Sequence, residues 1–260
     1  MKRLKAMLLV LAVGVFPVLL LTPVLAPQAA FGKDKLSRKQ KISKSRSRSE
    51  EPVIPEVESP GPPPGEAQSK VRVASLVYDK SKGSVCFSDH FLRAAADKTT
   101  VSTSRRLHPK HLASPDIFKY PMVVMTGEGN FKLREEERKN LAEYLRRGGF
   151  LLASAGCSSK DWDRSFRREI AKLLPDQELE ALSMDHPVFH TAKDIASIRV
   201  KKGTPQPLEG MQLDGRLAVL YSSDGLNDTE HVSGCCCCTG NEILNAEDIN
   251  VNVLLYSLTH

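Results

Sequence analysis

The chain has 260 residues, 41% apolar and 26% charged with a single tryptophan, a globular composition that excludes a polytopic membrane protein. Its 37 basic and 31 acidic residues give a net charge of +6, which by itself would suggest an anionic partner such as nucleic acid. Residues 1–70 hold 12 of the basic and 6 of the acidic residues, so residues 71–260 balance at 25 of each, and no nucleic-acid binding is expected of the folded domain.

In chain order, Lys2, Arg3 and Lys5 precede an apolar run from Ala6 to Ala26, and small residues Ala29, Ala30 and Gly32 follow. That pattern makes residues 1–32 a signal peptide or signal anchor. The run is close to the ~20 residues that span a bilayer, but Pro17 and Pro23 interrupt it, which favours cleavage near Ala30-Phe31-Gly32. The basic residues between Lys33 and Arg48 pull the other way, because a Lys/Arg-rich flank tends to stay cytoplasmic. Export to the periplasm or another extracytoplasmic space, with or without an anchor, is the leading expectation. An anchored form facing the cytoplasm is the alternative.

Residues 33–70 read as a disordered linker, first basic and then acidic and proline-rich, with Pro52, Pro55, Pro60 and Pro62–Pro64. Neither half has an apolar face to bury. Through residues 33–48 it offers contact with an anionic membrane surface, although a solvated tether is the plainer role.

Residues 71–260 read as a single α/β domain in which strands alternate with helices. Val71–Tyr78 is an apolar strand, Ser88–Asp97 a helix, Thr100–Ser104 a short β-branched stretch, and Pro121–Thr126 a strand buried on both faces. Leu133–Arg147 is the clearest helix: Glu135, Glu136 and Glu137 open it, Arg146 and Arg147 close it, and Gly148-Gly149 lie beyond. Phe150–Ser154 is the next strand, Asp161–Leu174 an amphipathic helix, Arg216–Ser222 a strand and Asn245–Leu258 the closing helix. Strands spaced by such helices predict an open, mostly parallel sheet with helices on both faces.

Several stretches resemble a known bacterial family. They are Thr126–Phe131, Gly148–Leu152, Cys157, Phe166–Glu169, Leu174-Pro175, Asp185–Phe189, Gly215–Val219, and Asn245-Ala246 with Asn250 and Tyr256. Together they are similar to the domain-of-unknown-function family 4159. The resemblance implies a flavodoxin-like fold similar to class I glutamine amidotransferase domains, on chains often exported or tethered to membranes. It implies no established reaction.

Three groups of residues invite chemistry. Cys157 follows a buried strand and precedes a helix, the place where a parallel sheet exposes a nucleophile. Gly127, Glu128 and Gly129 end the preceding strand, where backbone N–H groups could form a ligand or oxyanion site. His186, or the Glu230-His231 pair, would be the base. Ala155 and Ser159 stand where an amidotransferase-type elbow carries glycines, which weakens that reading; His186 has the plainer role of capping a turn. The third group is Cys235–Cys238. Neighbouring side chains in an extended chain point apart, so only two of them, Cys235 and Cys237, could serve as metal ligands, joined by His231, Cys157 or His186, with zinc the ion they suit. Disulfides, with Cys86 or Cys157 as partners, are the leading reading of the run; a metal site and unpaired thiols are the alternatives. Arg167 and Arg168 read as a solvated helix face, and Asn250 and Asn252 as buried hydrogen-bonding groups.

The expectation is therefore a non-catalytic or degenerate binding module, with a site for a small molecule or protein at the C-terminal strand edge and no resident cofactor. A Cys157-dependent amidase or hydrolase and a metal- or thiol-redox module on Cys235–Cys238 are the alternatives.

Overall fold

A computed structural model describes residues 70–79, 83–232, 235 and 243–260. The leader, the linker through residue 69, its basic segment at residues 33–48, and Cys236–Cys238 lie outside the described residues. Among the described residues no helix is long and apolar enough to cross a membrane.

The elements are β1 (Val73–Val77), α1 (His90–Lys98), β2 (His108–His111), β3 (Met122–Gly127), α2 (Glu135–Arg146), β4 (Phe150–Ala155), α3 (Lys160–Leu173), β5 (Glu180–Ala181), β6 (Glu209–Leu213), β7 (Arg216–Ser222) and α4 (Ala246–Thr259). They build one seven-stranded sheet in the order β2-β1-β3-β4-β7-β6-β5. The first five strands are parallel, and β6 and β5 add an antiparallel edge. This is the open, mostly parallel α/β architecture expected of the sequence.

The side-chain period of two along a strand explains how the sheet holds two cores. On β3, Val123 and Met125 face a core shared with α2 and α3, while Met122 and Val124 face one shared with α1 and α4. Burial on both faces is why β3 and β4 read as unbroken apolar runs. The first core centres on Trp162, which stacks on Phe166 at 5.2 Å and donates through Nε1 to the Tyr78 hydroxyl at 2.6 Å.

Charged residues fasten the outer surfaces. Glu137, at the third position of α2, accepts from the backbone N–H of Arg134 at 2.8 Å and of Asp79 at 3.1 Å. Arg167 does not idle in solvent: it binds Glu209 of β6 through both terminal nitrogens at 2.7 and 2.9 Å, and Asp163 through Nε at 2.7 Å. Arg168 donates to the Phe131 carbonyl at 2.6 Å. Glu169, only 1% exposed, is surrounded by Lys172, Arg168 and Arg138. Burial would raise its carboxyl, but those three cations outweigh it and hold it below the ordinary 4.5. The stability this gives is present above 4.5 and is lost as pH falls through the lowered folded value. Glu169→Gln should therefore lose about 1–3 kcal/mol at neutral pH and show a flatter acid limb in urea midpoints measured against pH.

Two parts of the sheet go beyond what the sequence outlined. The β-branched stretch Thr100–Ser104 is no strand of the sheet: only Thr103 bridges, to Val71. The edge strand lies further on, in His108-Pro109-Lys110-His111, whose Pro and Lys suit an edge that must not recruit another chain. The antiparallel strands β5 and β6 had no counterpart in the sequence reading. Their hairpin into β7 turns at Asp214-Gly215, with φ of 51° and 78°, the left-handed pair that a tight two-residue hairpin requires.

Candidate functional site

Chain β1–α1–β2 runs to one side of β1, and the chain then crosses to β3 on the other side. This makes the gap between β1 and β3 the topological switch point, where open α/β sheets bind ligands beyond the carboxyl ends of their strands. Four loops gather at that edge: residues 83–89, 127–130, 156–159 and 223–232. Ser84 Oγ donates to Glu128 Oε1 at 2.7 Å, Ser88 N to Asn227 O at 2.8 Å, and Ser158 Oγ to Asp224 O at 2.7 Å.

A cavity of about 340 Å³ lies at the switch point, lined by Ser75 of β1, Thr126 of β3, the Gly83–Ser84 and Phe87–Asp89 segments, and His231. Thr126 is 5% exposed, and its Oγ1 has no hydrogen-bond partner among the described residues. Gly83 takes φ of +81°, with Thr126 O 3.6 Å from where a Cβ would sit, so the loop passes close over the end of β3.

The expected cysteine elbow has a distinctive backbone. Cys157 (φ 50°) and Ser158 (φ 55°) are both left-handed, although neither is glycine, a conformation that is strained for such residues and clusters at functional sites. Ser159 then caps α3 by accepting from Trp162 N. Cys86 and Cys235 form a disulfide, one of the pairings left open by the sequence. Cys157 keeps its thiol, with Sγ 3.8 Å from Cys86 Sγ and 3.9 Å from Glu128 Oε1.

The other candidates are dispersed. Gly127 is fixed by packing: a Cβ there would meet Trp162 Nε1 at 2.6 Å and the Tyr78 hydroxyl at 2.7 Å. Gly129 has open space around it. Glu128 brings a carboxylate beside the thiol, a poor neighbour for a developing oxyanion. His186 caps the short 3-10 turn Pro187–Phe189, its Nδ1 accepting from Val188 N at 3.2 Å, and its ring packs 5.6 Å from Tyr256. Burial and the neighbouring His260 lower its pKa. Cys235, being oxidised, offers no thiolate to a metal, and Cys237 lies outside the described residues.

His231 is partnered by Asp228, at 2.8 and 2.9 Å, rather than by the adjacent Glu230. The Asp228 carboxylate holds its imidazole above the ordinary 6.5. The His231 ring stacks on that of His90 at 3.8 Å, and His90 Nδ1 lies 2.6 Å from Glu247 Oε2. Burial would raise the Glu247 carboxyl, but Lys98 and His90 bring it below its usual range. Asn250 and Asn252 are buried hydrogen-bonding groups: Asn250 donates to Leu226 O, and Asn252 accepts from Ala192 N and Lys193 N.

Sequence reasoning missed Thr126, Ser84, His90, Asp228 and Glu247. Thr126 opens one of the family-like stretches and Asp228 lies three residues before His231, but no local pattern gave any of the five a role; the fold brings them to one edge.

The profile of a family described as a domain of unknown function (DUF4159) matches residues 72–258. No curated protein matches the chain.

Proposed function

The chain belongs to this family of domains of unknown function, and we propose that it is a small-molecule-binding module whose site is the switch-point cavity between β1 and β3. The observation that carries this reading is Thr126 Oγ1: a buried hydroxyl with no hydrogen-bond partner among the described residues, in the wall of a cavity at the position where such sheets take ligands. The hydroxyls of Ser84 and Ser88 and the opening of α1 in the same lining suit a small, oxygen-rich polar molecule. Asp89 in the wall disfavours a strongly charged anion.

In this reading the module works outside the cytoplasm, delivered by its leader, and residues 33–48 hold it near an anionic membrane surface. The Cys86–Cys235 disulfide supports that location, since such bonds persist in oxidising compartments.

Thr126→Val tests the site. It removes an unsatisfied buried hydroxyl at nearly constant shape, so the protein without ligand should be unchanged or more stable by about 1 kcal/mol. A thermal-shift screen of small polar metabolites should yield compounds that stabilise the wild-type protein and lose that effect in the variant. If every stabilising compound acts equally on both, the cavity is not the site.

A second reading is favoured by the left-handed backbone of Cys157, which presents a side chain as a nucleophile would be presented. The Glu128 carboxylate 3.9 Å from its sulfur and the engagement of His186 elsewhere rank a Cys157 hydrolase below the binding module.

A further inference from the structure

We infer that His90, Asp228, His231 and Glu247 form a binding site for one first-row divalent cation of the zinc type, separate from the cysteine run. One donor atom from each of the four lies within 4.8 Å of all the others. The residues come from three places that the fold must bring together: the start of α1, the first turn of α4, and the loop after β7. Two imidazoles with two carboxylates make a mixed nitrogen and oxygen set, which suits zinc and its first-row neighbours more than magnesium or calcium.

The details fit an ion better than two independent His–acid pairs. Asp228 and Glu247 have side chains only 9% and 16% exposed, so two carboxylates share a partly desolvated pocket. Lys98 Nζ occupies Glu247 Oε1 at 2.6 Å, leaving Oε2 directed at the imidazoles. That oxygen lies 2.6 Å from His90 Nδ1, within hydrogen-bond reach, and 4.0 Å from His231 Nδ1, so it borders both rings. The rings are stacked, parallel within 1° and 3.8 Å apart, a spacing at which two imidazolium charges would repel. A divalent ion would satisfy both carboxylates while both rings stay neutral.

Uptake requires a defined rearrangement. A tetrahedral ion with bonds of roughly 2.0–2.1 Å sets its donors about 3.3 Å apart, so the widest pairs must close and the hydrogen-bonded pairs must open slightly. Because the rings are parallel, an ion between their Nδ1 atoms lies out of at least one ring plane. The His231 side chain, 39% exposed, is the one with room to tilt. This site stands whether or not the switch-point cavity takes a ligand, although His231 borders both.

The test uses the full chain with its disulfide intact, stripped by a chelator and titrated with Zn²⁺ by calorimetry and with Co²⁺ by absorption. We expect one equivalent bound, a Co²⁺ visible spectrum of nitrogen and oxygen ligation, and no thiolate-to-cobalt charge-transfer band. His90→Ala and Glu247→Gln should each weaken binding roughly tenfold or more, with Cys157→Ser unchanged. Absence of binding, affinity unaltered in both His90→Ala and Glu247→Gln, a thiolate band, or loss of binding in Cys157→Ser would each overturn the site. The Co²⁺ spectrum of the unmodified protein decides the donor set even where a variant fails to fold.

Discussion

Gly225→Ala is expected to cost roughly 3–5 kcal/mol of stability, the sum of an unfavourable backbone angle and a steric collision. Gly225 has φ of +91°, and a Cβ there would lie 2.3 Å from the carbonyl oxygen of Ala155. The atom it meets is backbone, so no side chain can swing aside to relieve the contact. Ala155 is the last residue of β4 and the base of the left-handed pair at Cys157 and Ser158. The displacement would therefore pass directly into the elbow. Gly203→Ala is the matched control: its φ of +69° is also left-handed, but nothing lies within 4 Å of an added Cβ. Only the conformational part remains there, about 1 kcal/mol. Urea unfolding followed by the fluorescence of Trp162, 1% exposed, measures both. Equal losses in the two variants would show that the Ala155 contact relaxes and that the edge is softer than its packing indicates.

What the sequence revealed depended on how locally each feature is encoded. The apolar runs of β3 and β4 are buried on both faces, so composition alone marks them as strands. The acidic start and basic end of α2 mark that helix because the dipole acts within one turn. The edge strand His108–His111 escaped notice because an edge is made of residues that discourage pairing, and these have no strand signature. Cys157 was legible through its position between a buried strand and a helix, although its left-handed φ is a property of the folded backbone. The partner of Cys86 was not: nothing nearby distinguishes Cys235 from the three cysteines after it. The His90, Asp228, His231 and Glu247 cluster joins residues up to 157 positions apart, and in sequence each looks like an ordinary helix-end or turn residue. Charge balance across residues 71–260 also concealed local detail, since the surface is fastened by specific pairs such as Arg167 with Glu209. A neutral sum says only that the fold lacks a dominant field.

Reduction of the Cys86–Cys235 bond, or Cys235→Ser, should destabilise the domain by about 2–4 kcal/mol, with Cys157→Ser leaving stability nearly unchanged. The bond links residues 149 positions apart, and in the chain-entropy account a loop of that length gives at most about 5 kcal/mol. It also ties the loop at Ser84–Phe87 to the segment that follows His231, so two rims of the switch-point cavity are joined through it. Cys157 stands beside this bond rather than along it. In-line exchange sets the outer sulfurs roughly 6 Å apart, whereas the three sulfurs here all lie within 4.8 Å of one another. Cys157 should therefore remain a thiol while Cys235 holds its partner. Once Cys235 is serine, the 3.8 Å approach of Cys157 Sγ to Cys86 Sγ favours a new bond between those two. With oxidised glutathione as oxidant, the two thiols give up their protons and electrons to form one disulfide and two molecules of reduced glutathione. Peptide mapping of the Cys235→Ser protein should recover a Cys86–Cys157 crosslink and a partial return of the lost stability. A crosslink from Cys86 to Cys236, Cys237 or Cys238 instead would show that the run, and not the elbow, is the natural reserve partner.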